Sequence, residues 1–277
     1  MQLYDDSSQA CSSIVTKSYS TSFSSAINLL HKGIRQPVYN IYGFVRFADE
    51  IVDTFHHQNK KELLAQFKQD TYTAIAKKLS INPILHSFQL TVNAYGIDHA
   101  LIEAFFRSME WDLSKQVYDQ QGYQDYIYGS AEVVGLMCLY VFCNGDVATY
   151  TKLEPAAKAL GAAFQKVNFL RDVKADYEGL ERIYFPNCDF NKFTAADKAS
   201  IEADIQQDFE AAYQGILQLP LQSRFGVYVA YKYYLSLFKK IKKVPPKEIL
   251  EQRIRIPNYK KAMIVVRAGV RNRLNIL

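Results

Sequence analysis

The chain has 277 residues, 49% of them hydrophobic, and a formal net charge of +5. This length and apolar content suffice for a complete core, so we expect residues 1–277 to form a single domain. Four cysteines without a CxxC pair argue against a disulfide framework and a zinc site, and they fit a reducing, cytoplasmic location. No signal peptide and no transmembrane helix are expected, because the apolar runs are too short.

The spacing of apolar residues is helical along almost the entire chain, and strand-like alternation is scarce. In chain order, we predict helices that begin near Thr21 and near Pro37, and helices over about 59–79, 98–117, 123–143, 155–179, 194–217, 221–242 and 258–275. Segments 186–194 and 241–247 are predicted loops. Since no linker rich in Gly, Ser or Pro interrupts this series, we expect an all-α, single-domain bundle.

The second predicted helix carries Tyr42, Arg46, Asp49 and Asp53 with spacing 4-3-4, which places all four on one helix face. Like charges one turn apart repel, so stability alone does not explain the two aspartates, and we expect a cation between them. The alternative is a solvated face with an ion pair from Arg46 to Asp49 or Glu50.

A matching face occurs on the predicted helix 155–179, where Gln165, Asn168, Asp172 and Asp176 have spacing 3-4-4. Carboxylate and amide oxygens are suitable ligands for Mg²⁺ held jointly with a phosphate. Arg171 lies beside them, as expected where a diphosphate must be neutralised. The two faces are therefore predicted to meet inside one domain, and a buried polar network between two helices is the alternative.

Arg182 and Tyr184 follow these motifs in the order RxYxP. With YxxxRxxDxxxD and QxxNxxRDxxxD before them, the chain resembles the squalene/phytoene synthase family, which joins two isoprenyl diphosphates head to head. The resemblance runs from about Ser18 to Arg253. It implies the isoprenoid-synthase helical fold with a central cavity.

The resemblance also implies roles for individual residues. Mg²⁺, with Mn²⁺ as an alternative ion, would be held by Asp49, Asp53, Asn168, Asp172 and Asp176. The catalytic residues would be Asp49, Asp53, Asp172, Asp176, Tyr128 and Arg171. The substrate would be bound by Ser20, Ser22, Phe23, Tyr42, Arg46, Gln165, Asn168, Arg182, Tyr184, Tyr233 and Arg253, with Ala131 and Gly135 against the prenyl tail. Glu132 departs from the family, where a small residue is common.

The segment GSAEVVGLM is similar to the corresponding segment of bacterial phytoene synthases. The implied activity is condensation of two geranylgeranyl diphosphates to phytoene through a cyclopropylcarbinyl (prephytoene) diphosphate, in carotenoid biosynthesis. A squalene or dehydrosqualene synthase that uses farnesyl diphosphate is the first alternative. A non-catalytic helical protein that binds prenyl diphosphates or membranes is the second. No GxGxxG motif follows a strand, so no Rossmann site is expected. A different NADPH site in an all-α pocket is the alternative, but NADPH is not expected.

Residues 259–274 combine an apolar run with Lys260, Lys261, Arg267, Arg271 and Arg273. This combination makes the C-terminal helix a candidate for peripheral contact with an anionic membrane surface. The alternative is an ordinary packed helix with a solvated basic face. No nucleic-acid motif is present, so nucleic acid is not an expected partner.

Overall fold

The computed structural model describes residues 1–114, 118–179, 184–186, 193–249 and 253–273, with the backbone alone for residues 174–179. This part of the chain forms thirteen α-helices and one π-helical turn and contains no strand, which confirms the all-α prediction. The helices are α1 (Gln2–Tyr19), α2 (Thr21–Ile27), α3 (Lys32–Asp53), α4 (Lys60–Lys77), α5 (Pro83–Tyr95), α6 (His99–Asp112), α7 (Gln120–Ile127), α8 (Val133–Cys143), α9 (Val147–Gly179), α10 (Ala195–Ile216), α11 (Leu221–Lys242), α12 (Pro246–Ile249) and α13 (Asn258–Arg273). The π-helical turn is Tyr128–Glu132, between α7 and α8.

Local sequence signals explain several helix starts. Asn59, Asp98 and Thr194 each accept a backbone hydrogen bond at the start of α4, α6 and α10. Thr194 and Asp197 form the predicted capping box, with both reciprocal bonds present. Helix α9 begins earlier than predicted, at Val147, and Pro155 lies inside it.

Helices α1, α5 and α12 were not predicted, and α12 begins inside the predicted loop 241–247. Helix α1 shows one reason. Its buried face consists of Ser8, Ser12, Ser13 and Thr16, so the apolar periodicity that marks most helices is missing. A Cβ on Gly43 of α3 would lie 2.8 Å from the Ser12 Oγ. Small polar side chains on α1 and a glycine on α3 therefore let the two helices pack closely.

The core between α3, α4, α5 and α6 is aromatic. Phe44 of α3 stacks on Phe88 of α5 with ring centroids 3.9 Å apart and planes at 5°. Phe67, Phe105 and Phe106 surround the Phe44 ring, with centroid distances of 5.4 to 5.7 Å. This rigid packing fixes α3, which carries the first acidic motif.

The described residues include one helical stretch, Gln120–Cys143, that is long and apolar enough by composition to cross a membrane. This differs from the expectation that the apolar runs would all be too short. Half of its most apolar window is buried inside the protein. The stretch packs against α3, α6 and α9, which is the position of a core helix.

Candidate active site

A cavity of about 420 Å³ lies among the helices from α2 to α11. One end is polar, with Asp49, Asp53, Asp112, Asn168 and Asp172 in its wall. The remainder is mostly apolar. Along α9 the wall residues run from Leu153 to Asp172, a stretch about 28 Å long at 1.5 Å per residue. The cavity therefore combines an acidic end with a long apolar body.

The first acidic motif lies on α3 beside the polar end. Tyr42, Asp49 and Asp53 line the cavity. Arg46 pairs with Asp49 at 3.7 Å and with Glu50, so the ion pair proposed as an alternative is present as well. Within the described part of the chain, the buried Nε of Arg46 has no hydrogen-bond partner. The helix thus presents carboxylates to the cavity with one arginine beside them.

The electrostatics of this wall are unfavourable for the Asp49 carboxylate. The pKa of Asp49 is raised to about 7, first by burial and then by the charge of Asp53, while Arg46 lowers it. Asp112 and Glu50 raise it further. The Asp49 side chain lines the cavity and is 30% exposed. A cation at this position would relieve the repulsion.

The second acidic motif lies on α9, and Gln165, Asn168 and Asp172 all line the same cavity. The Gln165 Nε2 donates to the Ser130 Oγ at 3.2 Å, and the Tyr234 hydroxyl donates to the Asn168 Oδ1 at 3.3 Å. The two motifs therefore meet in one site, as predicted. The side chain of Asp176 lies outside the described residues.

Two arginines hold the Asp172 carboxylate. Arg171 Nε lies 3.0 Å from the Asp172 Oδ1, and Arg253 Nε lies 2.8 Å from the same oxygen. The Arg253 side chain is 52% exposed. Its separation from Asp172 therefore costs little free energy, since exposed ion pairs contribute little. Arg182, predicted to bind substrate, lies outside the described residues.

Ser20, Ser22 and Phe23, which were predicted to bind substrate, lie at the start of α2. Ser20 accepts a hydrogen bond from the Phe23 backbone nitrogen at 3.2 Å and also bonds the Tyr42 side chain. Burial raises the pKa of Tyr42 to about 12, so its hydroxyl stays neutral. Phe23 lines the cavity, whereas half-buried Ser22 is not part of the cavity wall.

Tyr128 and Tyr233, predicted as site residues, do not line the cavity, and nearby tyrosines line it instead. Tyr128 lies on a separate surface pocket, while Tyr126 lines the cavity and donates to Asp112 at 2.9 Å. Tyr233 is buried with its hydroxyl 3.2 Å from the Ser25 Oγ, while Tyr234 lines the cavity. A spacing of four residues is the sequence signal that could have identified Tyr126 and Tyr234. Two series with this spacing line the cavity: Tyr126, Ser130, Val134 and Cys138, and Gly226, Ala230 and Tyr234.

Tyr184 and the small residues lie where they were predicted, in the cavity wall. Tyr184 is buried and stacks on Phe169 with ring centroids 4.0 Å apart. A Cβ on Gly135 would lie 3.1 Å from the carbonyl oxygen of Ala157, and one on Gly161 would lie 2.8 Å from that of Ala131. The small residues therefore let α9 approach the π-helical turn and α8 closely.

The residues at the polar end supply only part of the ligands that Mg²⁺ needs. Asp49, Asp53, Asn168 and Asp172 offer hard oxygen donors, which Mg²⁺ prefers. In the described part of the chain, no three His, Cys, Asp or Glu side chains are grouped closely enough to hold a metal ion. An ion here would take further ligands from diphosphate and water, as Mg²⁺ does in phosphate-processing sites.

A second, polar pocket lies on the outer side of the π-helical turn. Its wall includes Tyr128, Glu132, Lys166, Asp204 and Asp208. The Lys166 ammonium lies 2.6 Å from Asp204 and 2.7 Å from Asp208. Burial raises the pKa of Glu132 to about 7, although Lys158 and Lys166 lower it.

Sequence comparison identifies known proteins that are similar to this chain. The sequence profile of the squalene/phytoene synthase family matches residues 16–260. A phytoene synthase of Arthrospira platensis is 27% identical, over 97% of this chain and 94% of its own length. A 4,4'-diapophytoene synthase of Staphylococcus haemolyticus is 27% identical, over 75% of this chain and 72% of its own length.

Structural comparison supports the same fold. The crystal structure of a dehydrosqualene synthase in complex with a ligand superposes with a TM-score of 0.81. It covers 98% of each chain at 22% sequence identity. The helical arrangement around the cavity is therefore shared with an all-α isoprenoid synthase.

Proposed function

The chain belongs to the squalene/phytoene synthase family, whose members are prenyltransferases, and we propose that it condenses two geranylgeranyl diphosphates to phytoene. Head-to-head condensation of prenyl diphosphates is the activity of the family. The observation that carries the proposal is the single cavity in which both acidic motifs line one end of a long apolar body. That arrangement suits a diphosphate joined to a long hydrocarbon tail.

The reaction would begin with loss of diphosphate from an allylic carbon. Mg²⁺, or Mn²⁺ in its place, would supply Lewis-acid neutralisation of the leaving group. Arg171 and Arg253, at Asp172, would bind diphosphate oxygens. Asp49, Asp53, Asn168, Asp172 and Asp176 are the proposed metal-binding residues.

The resulting allylic cation must be kept from water. Phe23, Phe164 and Tyr234 cluster in the cavity wall, with the Phe164 and Tyr234 rings 3.9 Å apart. Aromatic faces exclude water and stabilise a passing cation. In the proposed sequence, the double bond of the second substrate attacks this cation, and loss of one proton closes the cyclopropane ring of the cyclopropylcarbinyl diphosphate. A second ionisation, rearrangement and loss of a second proton then give phytoene without NADPH, and the released diphosphate accepts the protons.

Dehydrosqualene synthesis from farnesyl diphosphate is the second candidate. It is supported by the similarity to a 4,4'-diapophytoene synthase and to the dehydrosqualene synthase structure. The cavity wall along α9 runs about 28 Å from Leu153 to Asp172, the greater part of it apolar, and this length favours the longer substrate.

Product analysis distinguishes the candidates. The purified protein is incubated with Mg²⁺ and either geranylgeranyl or farnesyl diphosphate, with and without NADPH, and the hydrocarbons are identified by mass spectrometry. We expect phytoene, equal yields with and without NADPH, and no diphosphate release in the presence of EDTA. A C30 product alone would contradict the phytoene proposal, and binding without turnover would support the non-catalytic alternative.

A peripheral membrane contact belongs to the same proposal. The product is a hydrocarbon of very low solubility in water, so a bilayer is its natural acceptor. Sedimentation with vesicles tests this contact directly.

A further inference from the structure

Helix α13 turns one face to the protein. Ala268 is 3% exposed, and Ile264 and Val265 pack partly buried against the core. These three positions lie on one side of the helix and pack it against the body of the protein, mainly along α11. This face is enough to anchor helix α13, so its opposite face is not needed for packing.

The opposite face of α13 is apolar and exposed. Tyr259, Met263, Val266 and Val270 are 64%, 40%, 66% and 53% exposed. Their spacing of 4-3-4 places them in one stripe, on the side of the helix opposite Ala268. We call these four residues the apolar stripe. Isolated exposed apolar residues are ordinary, but a continuous stripe on an already anchored helix indicates a contact.

Cations accompany the apolar stripe. Helix α13 contains five Lys and Arg residues and no Asp or Glu. Lys260 and Arg267, both exposed, follow one edge of the stripe. The excess extends beyond the helix, since residues 221–273 contain fourteen Lys and Arg but only two Asp and Glu, in a chain with a net charge of only +5. The C-terminal fifth is thus strongly basic, and the remainder is net acidic.

The helix also lies close to the polar end of the cavity. The Lys261 Nζ donates to the Thr21 Oγ1 at 3.2 Å, next to Ser20, which bonds Tyr42. Arg253, which pairs with Asp172, lies five residues before the start of α13 at Asn258. A surface that contacts α13 would therefore approach the polar residues of the cavity.

We propose that the apolar stripe of α13 docks on the surface of an anionic lipid bilayer, with its flanking cations against lipid phosphates. An exposed apolar face bordered by Lys and Arg has the composition of helices that lie in the membrane interface. A second copy of the chain fits less well, because a symmetric contact would bring Lys260 and Arg267 of the two helices together. Nucleic acid would leave the apolar stripe unused. This docking rests on the proposed function only for its biological role, which is to deliver a hydrocarbon product to the bilayer.

Vesicle binding without substrate tests the docking separately from catalysis. The full chain is sedimented with vesicles of phosphatidylcholine alone and of phosphatidylcholine mixed with phosphatidylglycerol. We expect binding to the mixed vesicles that weakens as salt is added, and little binding to phosphatidylcholine alone. Absence of binding to the mixed vesicles would overturn the proposal, whatever the product of the enzyme.

Two pairs of variants locate the surface. Val266→Glu with Val270→Glu should weaken partitioning into mixed vesicles at least tenfold, whereas Val147→Glu, at a valine that is 73% exposed on α9, should leave it unchanged. Lys260→Gln with Arg267→Gln should weaken it about fivefold for each cation removed. The matched control is Lys61→Gln with Lys77→Gln, on exposed residues of α4.

Unchanged vesicle binding by both α13 pairs would overturn the assignment of the surface. Self-association of the wild type that Val266→Glu abolishes would identify a second copy as the occupant, and would also overturn it. Soluble diphosphate release by the variants reports on the proposed function independently, because the substituted side chains are exposed on the outer face of α13.

Discussion

Asp49 and Asp53 lie one helical turn apart on the cavity wall, and the pKa of Asp49 is raised to about 7, first by burial and second by the charge of Asp53. A carboxylate with a raised pKa costs folding free energy when it is ionised. The same charge is useful where a cation must be held. The charge of Asp49 therefore lowers stability while it serves function, and stability and activity can be measured separately.

Replacing Asp49 by Asn should make the protein more stable and nearly inactive. Ionisation of Asp49 removes stability as the pH rises from the ordinary value near 3.8 to about 7, so the gain is complete above pH 7. We expect about 1 to 3 kcal/mol at pH 8 in EDTA, by thermal unfolding. Diphosphate release should fall at least about a hundredfold. Asp70→Asn on the exposed face of α4 is the control, and retained activity would refute the site assignment.

Arg253 should contribute to substrate binding but little to stability. Its exposed pair with Asp172 contributes about 0 to 1 kcal/mol to folding, whereas a charge-assisted bond to a diphosphate contributes more. Arg253→Gln should therefore raise KM about tenfold or more with an almost unchanged Tm. Arg255→Gln, two residues further on, serves as the control. Equal effects of the two substitutions on KM would count against a role for Arg253.

Ala157 should limit the length of the tail. It lies in the apolar wall on α9, about 22 Å along the helix from Asp172. Ala157→Phe should block the far part of the cavity and lower turnover of geranylgeranyl diphosphate at least about tenfold, while farnesyl diphosphate is still used. Ala159→Phe, which points into the outer polar pocket, provides the comparison. Parallel loss of both substrates would show a folding defect instead.

Glu132 should make stability depend on pH near neutrality. Its folded pKa of about 7 exceeds the ordinary value of 4.5, so its contribution to stability is present below pH 4.5 and is lost as the pH rises to about 7. Glu132→Gln should gain about 1 to 2 kcal/mol at pH 8, a figure reduced for the solvent that reaches the pocket, and nothing at pH 4.5. Urea unfolding at both pH values measures this difference. An equal gain at both would exclude ionisation as the cause.

The sequence predicted the fold class, and both acidic motifs were predicted to face one site because helical spacing determines which side chains share a face. Asp49, Asp53, Asn168 and Asp172 share one cavity wall for this reason. Around the π-helical turn, the family resemblance pointed to Tyr128, whereas the four-residue spacing points to Tyr126. The π-helical turn Tyr128–Glu132 follows α7 directly, and the tyrosine that reaches the cavity is Tyr126.

Other contacts depend on residues that are distant in sequence. Asp112 bonds Tyr126 across the cavity wall, and Arg253 reaches Asp172 from the segment before α13. Helix α1 has a buried face of Ser and Thr, which hydrophobic periodicity does not register. In each case the missing information was the tertiary partner, and no local pattern of the chain contains it.

The basic residues of the chain are concentrated towards its C-terminal end. Residues 221–273 carry fourteen basic and two acidic residues, and the remaining sequence is net acidic. Near a negatively charged surface, the basic segment is attracted before contact is made, so the encounter favours orientations in which α13 faces that surface. The collision is then oriented by long-range forces, and added salt should slow the encounter as well as weaken the final attachment.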